Sequence, residues 1–267
     1  MNAYLTVFRS RVLALLQYRA AALAKLAPPL FVGLVQAQFF TAFFRGSGDG
    51  QPMTLAQTIT YCWCNQLLVA TQPWSGDPQA MQIIRTGNIA YELCRPLDLY
   101  THWFSRVTAQ RLVPLALSSV PLGIVALFLL PEAWRMGPPA SAASLLAFLL
   151  SLVGVVLMSA ALSNIMSILT VWTISAEGIY FLAPVVFQVL SGAIVPLPLF
   201  PDRLQQLLSF LPFRALMDTP ARIYLGLIPP AGAVTVVATQ LLWTAGFVLL
   251  GRLLLGRALR SAVIQGG

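Results

Sequence analysis

The stretch Ser191–Gly226 is apolar enough for a bilayer, yet it carries Pro196, Pro198, Pro201, Pro212 and Pro220. Each proline removes a backbone donor and breaks a helix, so no straight transmembrane helix can run through it. Between Pro201 and Pro212, Leu204, Leu207, Leu208 and Leu211 recur at i, i+3, i+4 and i+7, which predicts one short amphipathic helix. Asp202 opens it, where a carboxylate suits the positive end of a helix. A second short helix can start after Pro212. Such a broken segment is tolerated at membrane depth only where protein covers it or water reaches it. It reads as a re-entrant helical hairpin that caps a pathway; the plainer alternative is an extracellular loop lying on the headgroups.

The rest of the chain supports a membrane setting. Only 9% of the 267 residues are charged, against about 25% in a soluble domain. Too little polar surface remains to cover a water-soluble globule, so the chain reads as an integral membrane protein with room for about six spans of ~20 residues. The net charge of +8 orients the chain and meets anionic lipid rather than nucleic acid. Met1–Arg19 lacks the apolar core and small-residue end of a signal peptide. Cys62, Cys64 and Cys94 are too few for a disulfide framework. Cys62 and Cys64 read as packing residues in an apolar span rather than a metal site, and His102 is the only histidine.

Taken in order, residues 1–19 form an interfacial helix, with Leu5, Phe8, Val12, Leu15 and Leu16 on one face and Arg9 and Arg11 at its borders. The expected spans are 26–44, 54–74, 107–130 (interrupted by Pro114 and Pro121), 141–163, 174–195 and 231–255, with a turn at 164–173. The polar segment 75–106 holds helix-start signals at Asp77-Pro78, Asn88 and Asp98, and stops at Gly87 and Arg95-Pro96. It reads as small helices held at the membrane surface. With both termini inside, eleven of the sixteen basic residues are cytoplasmic and five (Arg45, Arg135, Arg203, Arg214, Arg222) are outside, as the positive-inside rule demands. The fold class is therefore all-α and polytopic: a single transmembrane domain over 1–267, with six transmembrane helices, an N-terminal interfacial helix and a broken re-entrant hairpin between the fifth and sixth spans.

The chemistry available is narrow. The single lysine, Lys25, has no glycine-rich loop before it, so the chain cannot cradle nucleotide phosphates in that way. No nucleophile elbow, zinc-binding helix or carboxylate pair appears, and the chain does not read as an enzyme. Glu177 is the one acidic residue assigned to a span. It either reaches the headgroups or faces inward, where it could attract cationic cargo. Gln36, Asn65 and Gln66 read as interhelical hydrogen-bonding groups, with contact to a substrate pathway as the sharper alternative.

Two stretches carry a resemblance. The segment Ile84-Arg85-Thr86-Gly87-Asn88-Ile89-Ala90-Tyr91-Glu92-Leu93-Cys94-Arg95-Pro96-Leu97, and the run Ser191-Gly192 with Pro196-Leu197-Pro198-Leu199-Phe200-Pro201 and Leu211-Pro212-Phe213, resemble the permeases of ABC-2 type exporters. Ala90 stands where such permeases often place an acidic residue, leaving Glu92 as the acidic candidate in this helix. The resemblance implies a bacterial cytoplasmic-membrane permease moving a hydrophobic or amphipathic compound outward, cationic if Glu177 faces inward. It implies two cytosolic ABC ATPase subunits, a second permease chain (related or identical) and membrane lipid as partners, and no nucleic acid. This chain would hold no cofactor; ATP and Mg would sit in the ATPases. The 75–106 region would couple to the ATPases through Gly87, Asn88, Tyr91, Glu92, Arg95 and Pro96. The hairpin, 196–228, would form an extracellular gate with Pro196, Pro198, Pro201, Leu207, Pro212 and Phe213. Glu177, Gln36, Asn65 and Gln66 would line the pathway. A passive channel or secondary transporter without an ATPase is the alternative; the absence of an evident internal repeat weighs against an inverted-repeat transporter.

Overall fold

A computed structural model describes residues 3–17, 24–46, 50–73, 76–86, 88–170, 172 and 177–261. Every regular element in it is helical. In order these are α1 (Ala3–Leu16), α2 (Ala27–Gly46), α3 (Leu55–Leu68), α4 (Pro78–Arg85), α5 (Ile89–Leu93), α6 (Leu99–Ile124), α7 (Ala142–Leu169), α8 (Glu177–Ser191), α9 (Asp202–Ser209), α10 (Asp218–Tyr224) and α11 (Ala233–Ser261). Short 3-10 turns join several of them.

The helix α7 is the axis of the bundle. Its small residues, among them Ser144, Ala147, Ser151, Gly154, Ser159 and Ser163, are buried and let neighbouring backbones come close, as small residues do between membrane helices. A Cβ on Gly154 would lie 2.2 Å from Gln240 Oε1 of α11. Three apolar clusters climb the axis. Leu99, Tyr100, Trp103, Ile168 and Leu255 pack at one end; Leu68, Leu115, Val155, Met158, Leu216 and Met217 pack midway. Ala37, Tyr61, Trp63, Leu122, Phe148 and Tyr224 close the other end.

Four described segments are long and apolar enough to cross a bilayer: Ala27–Gly46, Leu99–Leu129, Ala142–Leu169 and Pro230–Arg260. Six were expected. The expected second span is only the 14-residue α3 followed by a 3-10 turn, Val69–Thr71; 14 residues rise roughly 21 Å, short of a ~30 Å hydrocarbon core. Of the expected fifth, 174–195, the described part is the 15-residue α8, which ends at Ser191; residues 174–176 lie outside the described residues. The first ends in an irregular turn after Leu68, and the second ends at Ser191, before Gly192.

Other boundaries shift for identifiable reasons. Asp98 caps α6 by accepting the Thr101 N–H at 2.9 Å, so that helix begins at Leu99 and not at 107. Pro114 and Pro121 lie inside it without breaking it, and a π turn, Val125–Leu129, follows. The helix α7 extends to Leu169, absorbing most of the expected 164–173 turn. Because no charge marks that region, hydropathy had nothing to place a boundary on.

The helix α1 packs along α6. Phe8, Val12, Leu15 and Leu16 are half-buried there, whereas Leu5 of the expected apolar face is exposed.

Candidate functional site

The chemistry-bearing residues gather at the two ends of the bundle. They are separated by the length of α7, whose 28 residues rise roughly 40 Å.

At one end, Asp77 organises the polar segment. Its side chain caps α4 by accepting the Gln79 N–H at 3.1 Å, with Pro78 in the first turn, where a missing donor matters least. It is also fully buried, pairing with Arg106 and accepting from Gln110 Nε2 at 3.2 Å. Its own N–H donates to Ser167 Oγ at 2.7 Å. One residue thus ties α4 to both α6 and α7. Gly76 permits the approach, since a Cβ there would lie 2.4 Å from Ser167 Oγ. Sequence reasoning found the cap and missed the hub, because the Arg106 partner is 29 residues away.

The short helix α5 follows. Asn88 precedes it, and its carbonyl accepts the Tyr91 N–H at 3.1 Å. Glu92 turns inward, 3.2 Å from Arg95 Nη1 and 3.6 Å from His102 Nε2 of α6. Its carboxylate is therefore engaged within the chain, by Arg95, and faces α6. The outward face is Tyr91, 76% exposed, with Leu93 beside it. Arg95 and Pro96 are exposed at the end of the helix. Gly87 lies outside the described residues. At the neighbouring corner, Asp98 receives Arg252 of α11 at 3.3 Å, and its N–H donates to Tyr4 Oη of α1 at 2.9 Å. Burial alone would raise the Asp98 pKa, but bonds from Thr101 and the Arg252 charge outweigh it and hold the carboxyl below its ordinary 3.8.

At the other end, the helix α8 unwinds at Gly192, whose φ of +82° favours glycine. A Cβ there would lie 2.6 Å from Tyr61 Oη. The carbonyls freed by unwinding find side-chain donors. Asn65 Nδ2 donates to Gly192 O at 2.8 Å, Gln36 Nε2 to Ala193 O at 3.1 Å, and Gln66 Nε2 to Gln36 Oε1 at 2.9 Å. Irregular backbone at membrane depth requires such partners. The three polar residues are interhelical donors. Glu177 starts α8; its side chain lies outside the described residues.

Beyond the unwound turn the chain folds as the prolines dictate. Pro196 precedes a 3-10 turn, Leu197–Leu199, whose middle residue Pro198 is buried, and Pro201 precedes α9. Leu208 of α9 is buried, whereas Leu207 is 62% exposed. The buried Pro212 opens a second 3-10 turn, where the Phe213 ring lies 5.3 Å from that of Phe187 in α8. The chain then enters α10, which is buried between α3 and α7.

Asp218 opens α10, fully buried. It accepts the Tyr61 hydroxyl at 2.9 Å and faces Arg214 at 3.5 Å and Arg222 at 3.7 Å. Tyr224 donates to Gly137 O at 3.0 Å, and Ala140 N–H donates to Tyr224 O at 3.0 Å. Gln240 Nε2 of α11 donates to Ala215 O at 2.9 Å. Neither Asp218 nor Gln240 figured among the expected site residues. The visible signal was Arg214, Asp218 and Arg222 at successive steps of four, the spacing that lets helical charges meet.

Among the described residues no group of three or more His, Cys, Asp or Glu could hold a metal. Cys62 and Cys64 are buried free thiols, and Cys94 is exposed. The arrangement offers an exposed apolar helix braced at one end and a buried, proline-shaped hairpin at the other. A family model described as "ABC-2 family transporter protein" matches residues 51–266. No curated protein and no solved structure matches the chain.

Proposed function

Because the chain belongs to the ABC-2 family of transporter proteins, we propose that it is the permease subunit of an exporter driven by two separate cytosolic ABC ATPases. The chain is a multi-pass helical membrane protein and a transport subunit, not an enzyme. The single observation that carries the proposal further is α5. It is a short helix that turns Glu92 inward, 3.6 Å from His102 of α6, and Tyr91 and Leu93 outward. Such a helix can transmit force from a partner into α6, and through the Asp77–Arg106 pair into α4 and α7.

In this reading Tyr91 and Leu93 enter a groove on the ATPase, with Asn88, Arg95 and Pro96 at its rim; Gly87 belongs to the same coupling segment by sequence. Glu92 holds the helix in place rather than meeting the ATPase. The hairpin forms the extracellular gate: Pro196, Pro198, Pro201, Pro212 and Phe213 shape it, and Leu207 lies on its surface. The helices α3 and α8 complete six spans, with α10 covering the short end of α3. A second permease, related or identical, faces the exposed sides of α2 and α8, where Phe31, Phe39, Phe181 and Leu182 are unpaired with other elements of this chain. Both termini lie in the cytoplasm of a bacterial cell, as the basic-residue count supports. The cargo is hydrophobic or amphipathic; a cationic preference rests on Glu177 facing inward. ATP and Mg belong to the ATPases.

The test is Tyr91→Ala in the purified complex. Cargo-stimulated ATP turnover is expected to fall while the ATPases remain bound through the rest of the surface. Unchanged coupling in Tyr91→Ala and Leu93→Ala together rejects the docking assignment. A chain that purifies and transports without any ATPase is instead a channel or secondary transporter.

A further inference from the structure

The hairpin carries an imbalance of charge. Elsewhere among the described residues, a carboxylate that meets an arginine meets one: Asp77 meets Arg106, Glu92 meets Arg95, Asp98 meets Arg252 and Glu132 meets Arg135. Asp218 meets two, Arg214 at 3.5 Å and Arg222 at 3.7 Å. These are long contacts: among the described residues Asp218 Oδ2 accepts no hydrogen bond, and the buried Arg222 Nε donates none. Both arginine side chains keep only 25% of their exposure. A charge withdrawn from water is costly unless it is paired and hydrogen-bonded. One carboxylate balances one of the two cations, and one positive charge is left over.

A cavity of about 220 Å³ lies between the hairpin and the first turns of α11, and Arg214 lines it. Ser209, Thr235 and Thr239 line it too, with the apolar Leu211 and Trp243; no described carboxylate does. Ser209 and Thr239 donate to carbonyls of their own helices, Gln206 O at 2.6 Å and Thr235 O at 2.8 Å. Such hydroxyls can rotate toward another acceptor. The cavity therefore offers a cation, hydroxyl donors and apolar surface together. It is smaller than the roughly 300–1,000 Å³ of a drug-sized site, which limits an occupant to an anionic head with a few carbons.

We propose that this cavity binds a phosphate ester, its oxyanion against Arg214 and the three hydroxyls and its first carbons against Leu211 and Trp243. The planar guanidinium matches phosphate oxygens. A phosphate also presents more acceptor oxygens than a carboxylate, enough for the arginine and the hydroxyls at once. Bound there, the anion supplies the counter-charge that Asp218 cannot give twice. Arg214 then serves the ligand while Arg222 stays with Asp218, and occupancy holds the hairpin against α11. The ester is either the phosphate region of a bilayer phospholipid or a soluble molecule of the same chemistry. The inference does not rest on ATPase docking, so either can fail without the other.

The test uses the full chain in the complex it forms, solubilised in a non-ionic detergent, with thermal unfolding followed as ligand is added. Hexyl phosphate supplies head and body, inorganic phosphate the head alone and hexanol the body alone. Hexyl phosphate is expected to raise Tm saturably. Inorganic phosphate should need about tenfold more for the same shift, the effect of burying two methylenes, and hexanol should give none. Arg214→Gln is expected to weaken hexyl phosphate about tenfold, the loss of one hydrogen bond to a charged group. Thr239→Phe fills the cavity from an exposed position on α11 and leaves Arg214 facing Asp218, so it should abolish the shift without unfolding the chain. Native mass spectrometry identifies the source. A phospholipid that co-purifies and is displaced by hexyl phosphate comes from the bilayer; a chain that carries none yet binds hexyl phosphate takes a soluble ester. Equal shifts from hexyl phosphate and hexanol, an equal shift in wild type and Thr239→Phe, or no shift in a chain that carries no phospholipid overturns the proposal.

Discussion

Replacing Asp218 with Asn keeps the side chain's shape and its acceptor for Tyr61, but removes the one charge facing Arg214 and Arg222. Removing one partner of a fully buried ion pair costs about 3–5 kcal/mol, because the other charge is left uncompensated. Here Asp218 is fully buried while each arginine side chain keeps 25% of its exposure. Water can therefore take up part of the orphaned charge, which brings the expected loss down to about 2 kcal/mol. For a chain of this size that lowers Tm by about 4–8 °C. The assay is thermal unfolding of the detergent-solubilised protein, followed by its monodisperse fraction on size exclusion. A second arm combines Asp218→Asn with Arg222→Gln, which removes one of the two stranded cations and is expected to recover part of the loss. A shift under about 2 °C for Asp218→Asn, within the ordinary range of a surface substitution, refutes the idea that this cluster locks α10 to α3. So does a double variant less stable than the sum of the single ones.

Other expectations follow from the same geometry. Gly154→Ala places a Cβ 2.2 Å from Gln240 Oε1, and overpacking of this kind costs about 1–3 kcal/mol; pairing it with Gln240→Ala should restore much of the loss in the same thermal assay. Asn65→Leu leaves the Gly192 carbonyl without its donor and is expected to cost about 1–2 kcal/mol, with increased protease cleavage between α8 and α9 as its signature. Asp98 has a depressed pKa, so its contribution to stability is present above the unfolded carboxylate value and lost as pH falls through the lower folded one. Arg252→Gln should therefore flatten the acid limb of a stability-versus-pH curve below about pH 4.

Local signals in the sequence were legible wherever the determinant is short-range. Asp77-Pro78 and Asp98 start helices because a side-chain cap acts within three residues. The proline spacing from Pro196 to Pro212 likewise fixes where α9 can begin and end. What stayed hidden is tertiary. Nothing near Asp77 announces Arg106, and nothing near Gln36 announces the unwound carbonyls of Ala193 and Ile194, 157 and 158 residues away. Hydropathy also overstated two spans. The residues of α3 are apolar enough to read as lipid-facing, yet Thr58 to Gln66 are buried by neighbouring helices. In α8 the apolar sequence continues past Ser191, but the backbone leaves the helix there because Gly192 permits a turn.

The opposite placement of α5 and the hairpin is tested most directly by labelling in intact cells. In a Cys94→Ser background, where the remaining Cys62 and Cys64 are buried, single cysteines at Leu207 and Tyr91 are treated with a membrane-impermeant maleimide. The account predicts that Leu207→Cys reacts from outside, and that Tyr91→Cys reacts only once the membrane is opened. Labelling of Tyr91→Cys in sealed cells, with Leu207→Cys protected until lysis, contradicts it.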